Sequence, residues 1–388
     1  MCIRDSSYPF AATSTGSVVG GHIGFYDTVN IDLNGNRRYG DSGEGPFHSS
    51  DTIVIDNNNY VISVGTGEWT RPVAIKLTFP DARVLAAELQ SFYALAQLHP
   101  TYLAIVGYYD AIPFALYRPE VEPYIGHEDV VSDIAYGEVD NDPFVDIATG
   151  RVVATSVYNA SLLVARSVTY KDLLTPAWGN NALTISGYGD QQAIAKFVAN
   201  NLENHGFSVT NLIDDFAWQD SYLVNKSVIL HFEHAGPGGW GRGPWYRPVQ
   251  NMNLAPTVAM SGGCMTAAID EVPKDQSIAL AFLDSGAIGY VGNSRTASNP
   301  IFSYLGTFWD GVANRRLSIG EAHRRGQNFK ILQSLERSNP GPGYDHIAMW
   351  EIMLLGDPAL SLYIPSPSPS VSPAHMEVSE DAAEYHGP

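Results

Sequence analysis

The feature that most restricts the fold of this chain is the alternation of short apolar runs with longer amphipathic ones. Tyr102–Val106 is a continuous apolar run that ends at Gly107, as buried strands of parallel sheets do. The residues before it, 81–98, carry apolar side chains at helical spacing. Strands that alternate with helices build a mostly parallel sheet with helices on both faces, and ligand sites lie beyond the carboxyl ends of its strands.

This alternation continues to residue 364. Further strands are predicted at 183–187, 208–213, 227–232, 257–260, 287–291 and 359–364. Further helices are predicted at 191–205, 278–285, 301–313, 319–336 and 345–354. We therefore expect an α/β fold in two side-by-side subdomains, A at 81–175 and B at 176–364.

The two ends of the chain differ from this α/β region. Residues 1–80 hold short alternating runs between turn clusters, which predicts a β-rich remnant of an upstream module, with an unrelated leader at 1–7. Residues 365–388 read as a Pro/Ser-rich linker and an acidic tail, so we expect a larger multidomain protein. No signal peptide is visible, and no run reaches the roughly 18 apolar residues of a transmembrane helix.

Charge and cysteine content exclude several classes of protein. Lys and Arg number 22 against 41 Asp and Glu, and the net charge of -19 argues against nucleic acid as a partner, because a phosphate backbone requires a basic face. An acidic solvated surface is the simplest interpretation of this charge. The two cysteines are Cys2, in the leader, and Cys264, so no internal disulfide framework is expected.

Two strand ends carry side chains suited to catalysis. His234 follows strand 227–232 and opens a Gly-rich loop, and Cys264 follows strand 257–260 after three small residues. A thiol beside an imidazole ionises more readily, and its thiolate attacks carbonyl carbons. Because neighbouring parallel strands end at the same edge, we expect His234 and Cys264 to lie close together. Taken singly, each also fits an ordinary core residue.

The segments around this pair resemble the gingipain-like cysteine peptidases, family C25 of the caspase-fold clan CD. The resemblance rests on His234, Trp240 and Cys264 at the family's spacing. Matching segments lie at 105–113, 132–151, 286–294 and 356–360. The resemblance covers residues 80–364 and implies a caspase-like fold. It also implies a secreted or cell-surface cysteine endopeptidase that acts on proteins or peptides and needs no cofactor for its chemistry.

The resemblance also implies roles for individual residues. Cys264 would be the nucleophile and His234 the general acid and base, and the backbone N–H groups of Gly236 and Cys264 would form the oxyanion hole. Two positions depart from the family pattern: Ala235 replaces the glycine after the histidine, and Gly263 stands where the family commonly has alanine. The acidic residue that orients the histidine in some members would fall near Thr155, so no third catalytic residue is assigned.

Three further residues are expected to contact the substrate. Trp240 and Trp245 would wall the cleft, although simple packing also explains them. Arg166 lies in the segment where arginine-specific relatives carry an aspartate. Arginine specificity is therefore not supported, and Arg166 in the pocket would favour an acidic substrate residue.

An acidic loop predicts a structural Ca²⁺ site. Calcium takes six to eight oxygen ligands from flexible loops. The spacing is not that of an EF-hand, and an exposed acidic turn has the same pattern. The candidate ligands are Asp133, Asp140, Asp142 and Asp146.

Two rival functions remain open from sequence. Ser261 lies in a segment similar to a nucleophile elbow, and a serine hydrolase would complete its triad with a later aspartate and His323 or His346. His323 otherwise reads as a residue on a helix surface. Alternatively, Ala235 crowds the oxyanion loop, and the chain is a catalytically impaired domain used for binding or display.

Overall fold

The structure is a computed structural model. It describes residues 82–117, 129–140, 142–187, 189–213, 216–297, 301–336 and 349–365, together with six short strands before residue 79. The predictions for the leader at 1–7, for His346 and for the tail beyond residue 365 lie outside these ranges.

The first six strands form two small antiparallel sheets, one of β1–β3 and one of β4–β6. They agree with the β-rich character predicted for residues 1–80. Their bounds are β1 Phe10–Thr13, β2 Thr28–Ile31, β3 Phe47–His48, β4 Thr52–Ile55, β5 Asn58–Val64 and β6 Ile75–Thr78.

The α/β region is built on one eight-stranded sheet in the order β12-β11-β13-β16-β17-β18-β10-β7. Two hairpins, β8–β9 and β14–β15, stand apart from it. The strands are β7 Tyr102–Val106, β8 Ala115–Tyr117, β9 Val130–Ser132, β10 Ala148–Val152, β11 Asn181–Ser186, β12 Ser208–Ile213, β13 Val228–Phe232, β14 Ala235–Gly236, β15 Gly239–Trp240, β16 Val258–Ser261, β17 Gly289–Asn293 and β18 Ile352–Gly356. The α-helices are α1 Ala82–Ala96, α2 Val157–Val168, α3 Tyr170–Leu173, α4 Pro176–Gly179, α5 Asp190–Asn204, α6 Tyr246–Gln250, α7 Ile278–Ser285, α8 Ile301–Trp309 and α9 Ile319–Glu336.

The sheet changes direction once. Strands β12, β11, β13, β16 and β17 are mutually parallel, β18 is antiparallel to β17, and β10 and β7 run parallel to β18. Strands of both predicted subdomains therefore belong to a single sheet. The carboxyl ends of β13 and β16 lie at one edge, and those of β7 and β10 lie at the opposite edge.

Helices cover both faces of the sheet, as the alternation predicts. Successive strand residues point to opposite faces. In β13, Ile229 packs in the core that contains α7, whereas Val228 and Leu230 pack in the core that contains α5 and α8. Among the described residues, no helix combines the length and the apolar character needed to cross a membrane.

The C-terminal part of the sheet corrects one sequence prediction. A helix was expected at 345–354 and a strand at 359–364. Residues 349–351 are helical, but β18 occupies Ile352–Gly356 and no strand lies at 359–364. The apolar run of β18 is buried along its whole length between β17 and β10. Such a run, buried on both sides, has no period that separates a strand from a buried helix.

Candidate active site

Two neighbouring strands of the sheet position His234 and Cys264. Strand β13 pairs in parallel with β16, and His231 lies opposite Ser261. His234 and Cys264 each follow these paired residues by three positions. Paired strands lie about 4.8 Å apart, so the two residues occupy adjacent loops at the same edge.

The two loops touch directly. A Cβ atom placed on Gly263 would overlap the Cβ of Ala235 and would lie 2.7 Å from the carbonyl oxygen of Glu233. Only glycine fits at position 263 without displacing the loop of His234. The two departures from the family pattern therefore meet at one point: the methyl group absent from Gly263 is present on Ala235.

The backbone turns sharply after Cys264. Met265 has a φ of +57°, a left-handed conformation that is unusual for a side chain of this size, and its N–H donates to the carbonyl oxygen of Arg295 at 2.9 Å. Cys264 is half-buried with a free thiol, and His234 is exposed. Both reactive groups are therefore accessible from solvent at the carboxyl edge of the sheet.

The loop of His234 is folded back by the β14–β15 hairpin. The N–H of Gly241 donates to the carbonyl oxygen of His234 at 2.7 Å, and the N–H of Ile278, at the start of α7, donates to Pro237 at 2.8 Å. Open space adjoins Gly236, because a Cβ placed there would meet no atom within 4 Å. This part of the loop has room for a substrate beside its backbone.

A histidine missed by the sequence reasoning lies beneath both loops. His231 is fully buried, with its Nδ1 2.9 Å from the hydroxyl of Ser261 and its Nε2 2.9 Å from the carbonyl oxygen of Gly241. Burial lowers the pKa of His231 to about 4, so the ring is neutral near pH 7. The available signal was a polar residue inside the apolar strand Val228–Phe232, where a buried polar group requires partners.

Asn293, at the end of β17, also supports the loop of Cys264. Its side-chain amide donates to the carbonyl oxygens of Gly263 at 2.9 Å and Gly262 at 3.3 Å. The sequence feature that could have identified Asn293 was a polar residue at a strand end within the matched segment 286–294.

The two expected cleft tryptophans occupy different environments. Trp240 is 2% exposed and stacks on His231 and Phe282, and its Nε1 donates to the Tyr290 hydroxyl at 2.9 Å. It supports the loop from the core and does not line the surface. Trp245 is 63% exposed, and its indole lies against Gly239 in the loop of His234. This position suits contact with a substrate.

The geometry around Ser261 does not suit a serine nucleophile. The residue is fully buried, and its hydroxyl bonds both His231 and the N–H of Gly263, the latter at 3.2 Å. The expectation that His323 lies on a helix surface is wrong: its ring is buried and its Nδ1 lies 2.6 Å from the Tyr304 hydroxyl. Burial lowers the pKa of His323 to about 3.

Arg166, in α2, contacts the end of α7 that is farther from the loop of His234. Its Nη2 donates at 2.6 Å to the carbonyl oxygen of Leu283, five residues beyond the Ile278 that bonds Pro237. Thr155 also meets this end of α7, where its hydroxyl donates to Asp284. Both residues follow β10, whose carboxyl end lies at the opposite edge of the sheet. The reversal of strand direction therefore keeps Arg166 and Thr155 away from the edge that carries His234 and Cys264, contrary to the sequence expectation.

The four predicted calcium ligands do not fit a shared metal site. Asp133 forms a two-point ion pair with the fully buried Arg151, at 2.5 and 2.8 Å. The carboxylates of Asp140, Asp142 and Asp146 each accept a backbone N–H of their own loop. Within the described ranges, no group of three or more His, Cys, Asp or Glu residues is arranged to hold a metal ion.

Comparisons with known proteins agree with this architecture. The family model described as Peptidase family C25 matches residues 74–363. A solved structure called "Structure of Protease" superposes with a TM-score of 0.57 at 16% identity, covering 73% of this chain and 69% of that one. The crystal structure of gingipain R, an Arg-specific cysteine proteinase, superposes with a TM-score of 0.59 at 16% identity, covering 74% of this chain and 70% of that one. No curated protein matches the chain.

These likenesses show a gingipain-like, caspase-type α/β fold. The family match spans most of the chain, including the loops of His234 and Cys264 and the whole eight-stranded sheet. The chain therefore belongs to peptidase family C25.

Proposed function

We propose that the chain is a cysteine endopeptidase in which Cys264 is the nucleophile and His234 the general acid and base. The observation that carries this proposal is the parallel register of β13 and β16. His231 pairs with Ser261, and His234 and Cys264 each follow their paired residue by three positions. The contact between Gly263 and Ala235 supports it, because it fixes the two loops against each other. The fit of Gly263 to Ala235 also weakens the case for an impaired domain.

The reaction follows from these positions. The Cys264 thiolate attacks the carbonyl carbon of the scissile peptide, and the resulting oxyanion accepts hydrogen bonds from the backbone N–H groups of Gly236 and Cys264. His234, holding the proton from the thiol, transfers it to the leaving amine as the C–N bond breaks. Water activated by His234 then cleaves the thioester and releases the acid product. No cofactor takes part in this sequence.

The substrates in this proposal are proteins or peptides that meet the enzyme outside the cell or at its surface. Trp245 is the proposed substrate contact, because its exposed indole lies next to the Gly-rich loop of His234. Arg166 does not enter the proposal, since its partners lie at the far end of α7.

Cleavage of a mixed peptide library, followed by mass spectrometry, tests the assignment. Cys264→Ala is expected to lower kcat/KM by roughly 10³-fold or more, as loss of a nucleophile does. Cys2→Ser is the matched control and keeps wild-type activity. Full activity in Cys264→Ala would contradict the proposal.

A thiol probe separates the rival functions. Iodoacetamide is expected to alkylate Cys264 in the folded wild type and in Ser261→Ala, and alkylation abolishes cleavage. A serine hydrolase would instead lose all activity in Ser261→Ala and keep it after alkylation. A folded wild type with neither cleavage nor His234-dependent alkylation would favour the binding or display domain.

A further inference from the structure

Beneath the loops of His234 and Cys264 lies a buried imidazole that bonds a backbone carbonyl of the first loop and the Ser261 hydroxyl at the base of the second. We propose that His231 is a positioning residue, which holds the loop of His234 and the loop of Cys264 in register for catalysis. This inference rests on the proposed function, which assigns the reaction to these loops. His231 itself is fully buried and does not touch the substrate.

The hydrogen bonds of His231 fix its tautomer. Its Nε2 lies 2.9 Å from the carbonyl oxygen of Gly241, which can only accept, so Nε2 carries the proton. A neutral imidazole has a single N–H, and Nδ1 must then accept a hydrogen bond from the hydroxyl of Ser261 at 2.9 Å. The ring thus donates toward one loop and accepts from the other.

Each of these partners continues to a catalytic residue. The N–H of Gly241 donates to the carbonyl oxygen of His234 at 2.7 Å. On the other side, the oxygen of Ser261 accepts the N–H of Gly263, the residue before Cys264, at 3.2 Å. The chain of hydrogen bonds therefore runs from the backbone of His234 through His231 to the backbone N–H of Gly263, the residue before Cys264.

Packing fixes the orientation of the His231 ring. Trp240 stacks on it with ring centroids 4.7 Å apart and an interplanar angle of 13°. Trp240 is held in turn by Phe282 and by its hydrogen bond to Tyr290. On the neighbouring strand β11, the residue paired with His231 is the buried Ile185. A ring clamped in this way transmits a shift of one loop to the other.

Three substitutions test the hydrogen bond to Gly241 and the hydrogen bond from Ser261 separately. His231→Phe keeps an aromatic ring against Trp240 and loses both hydrogen bonds. His231→Gln places an amide N–H near the former Nε2 and keeps the bond to Gly241, and His231→Asn places a carbonyl near the former Nδ1 and keeps the bond from Ser261. We expect kcat to fall about 10²-fold in His231→Phe, the loss that a misplacement of about 1 Å causes. The other two variants recover part of this loss, and KM changes little in all three.

A matched control distinguishes positioning from simple loss of stability. His323 is a second buried histidine, and its ring bonds Tyr304 and not the catalytic loops. His323→Gln is expected to lower the thermal midpoint while kcat stays at the wild-type value. A folded His231→Phe protein with wild-type kcat would overturn the proposal, as would an equal loss of kcat in His323→Gln.

A second measurement does not depend on peptidase activity. The rate of Cys264 alkylation by iodoacetamide is measured in wild type, His231→Phe, His234→Ala and the double variant. If His231 holds the two loops in register, the effect of His234→Ala on this rate shrinks when His231 is already replaced. Additive effects would overturn the positioning role. Absence of cleavage in the wild type, with coupling still present, would instead reject only the proposed function. His231→Gln replaces His231→Phe in this cycle if the phenylalanine variant does not fold.

Discussion

Ala235 and Gly263 form a complementary pair at the residue scale. The family pattern places glycine after the histidine and commonly alanine before the cysteine, and this chain has the two sizes exchanged. The Cβ of Ala235 fills the volume that a Cβ on residue 263 would need. The departure that raised the question of an impaired enzyme is therefore accommodated by the second departure.

This pairing predicts a non-additive mutant cycle. Gly263→Ala should lower kcat/KM by about 10²-fold, because the new methyl group displaces the loop of His234. Ala235→Gly alone should cost less than about tenfold. The double variant should regain part of the activity of Gly263→Ala, with the remaining loss due to the close carbonyl of Glu233. Kinetics on one peptide substrate measure the coupling, and equal losses in Gly263→Ala and the double variant would contradict it.

The sequence alone predicted that His234 and Cys264 follow neighbouring strand ends, because each is a reactive residue directly after an apolar run; their catalytic roles stay a prediction. It was insufficient for His231 and Asn293, whose roles depend on which strands are neighbours. Trp240 shows the converse: it was expected to wall the cleft, with simple packing as the alternative, and its side chain fills the core beneath the loop. Side-chain direction in a short hairpin depends on pairing that no local pattern reveals.

Strand order sets the limits of prediction at the element scale. Strands β7 and β12 and helices α7 and α9 agree with the sequence prediction at both ends. The change of direction between β17 and β18 has no local signal, since it depends on a strand that returns from a distant part of the chain. That change removed Arg166 and Thr155 from the expected cleft.

The loop after Cys264 should depend on one partly buried ion pair. Arg295 donates two hydrogen bonds to the carboxylate of Asp270, at 2.6 and 3.0 Å, and the two side chains are only 9% and 14% exposed. Asp270→Asn should destabilise the protein by about 2 kcal/mol, because the guanidinium loses the carboxylate that accepts two of its N–H groups and keeps the more exposed Glu271, at 3.2 Å, as an anionic partner. Urea unfolding measures this loss, and faster amide exchange in the loop should accompany it.

A surface pair provides the control for this substitution. Arg315 and Asp310 lie 2.8 Å apart, but their side chains are 53% and 36% exposed. Asp310→Asn should cost less than about 1 kcal/mol. Similar losses in the two variants would show that burial does not strengthen the Arg295 pair.

Two buried neutral histidines make the whole molecule sensitive to acid. Burial lowers the pKa of His231 to about 4 and of His323 to about 3, below the ordinary value of about 6.5. Above pH 6.5 both the folded and unfolded states are neutral at these positions, so the full stability is present. As the pH falls below 6.5, only the unfolded chain takes up protons, and the free energy of unfolding decreases.

This linkage predicts a pH-dependent effect of His323→Gln. At pH 7 the substitution removes a satisfied buried group and should destabilise the protein. At pH 4.5 the wild type has lost about 2 to 3 kcal/mol through His323, so the difference between the two proteins should shrink by that amount. Urea unfolding at the two pH values gives the comparison. A constant difference would show that His323 titrates normally in the folded state.

Cys264 is the free cysteine of the described residues, and the chain contains one other, Cys2, which lies outside them. In a Cys2→Ser protein, every thiol would therefore belong to the proposed nucleophile, Cys264. A stoichiometric thiol reagent would then count the molecules in a preparation whose proposed nucleophile is intact. The ratio of that count to total protein would convert an observed rate into a turnover number without a purpose-built inhibitor.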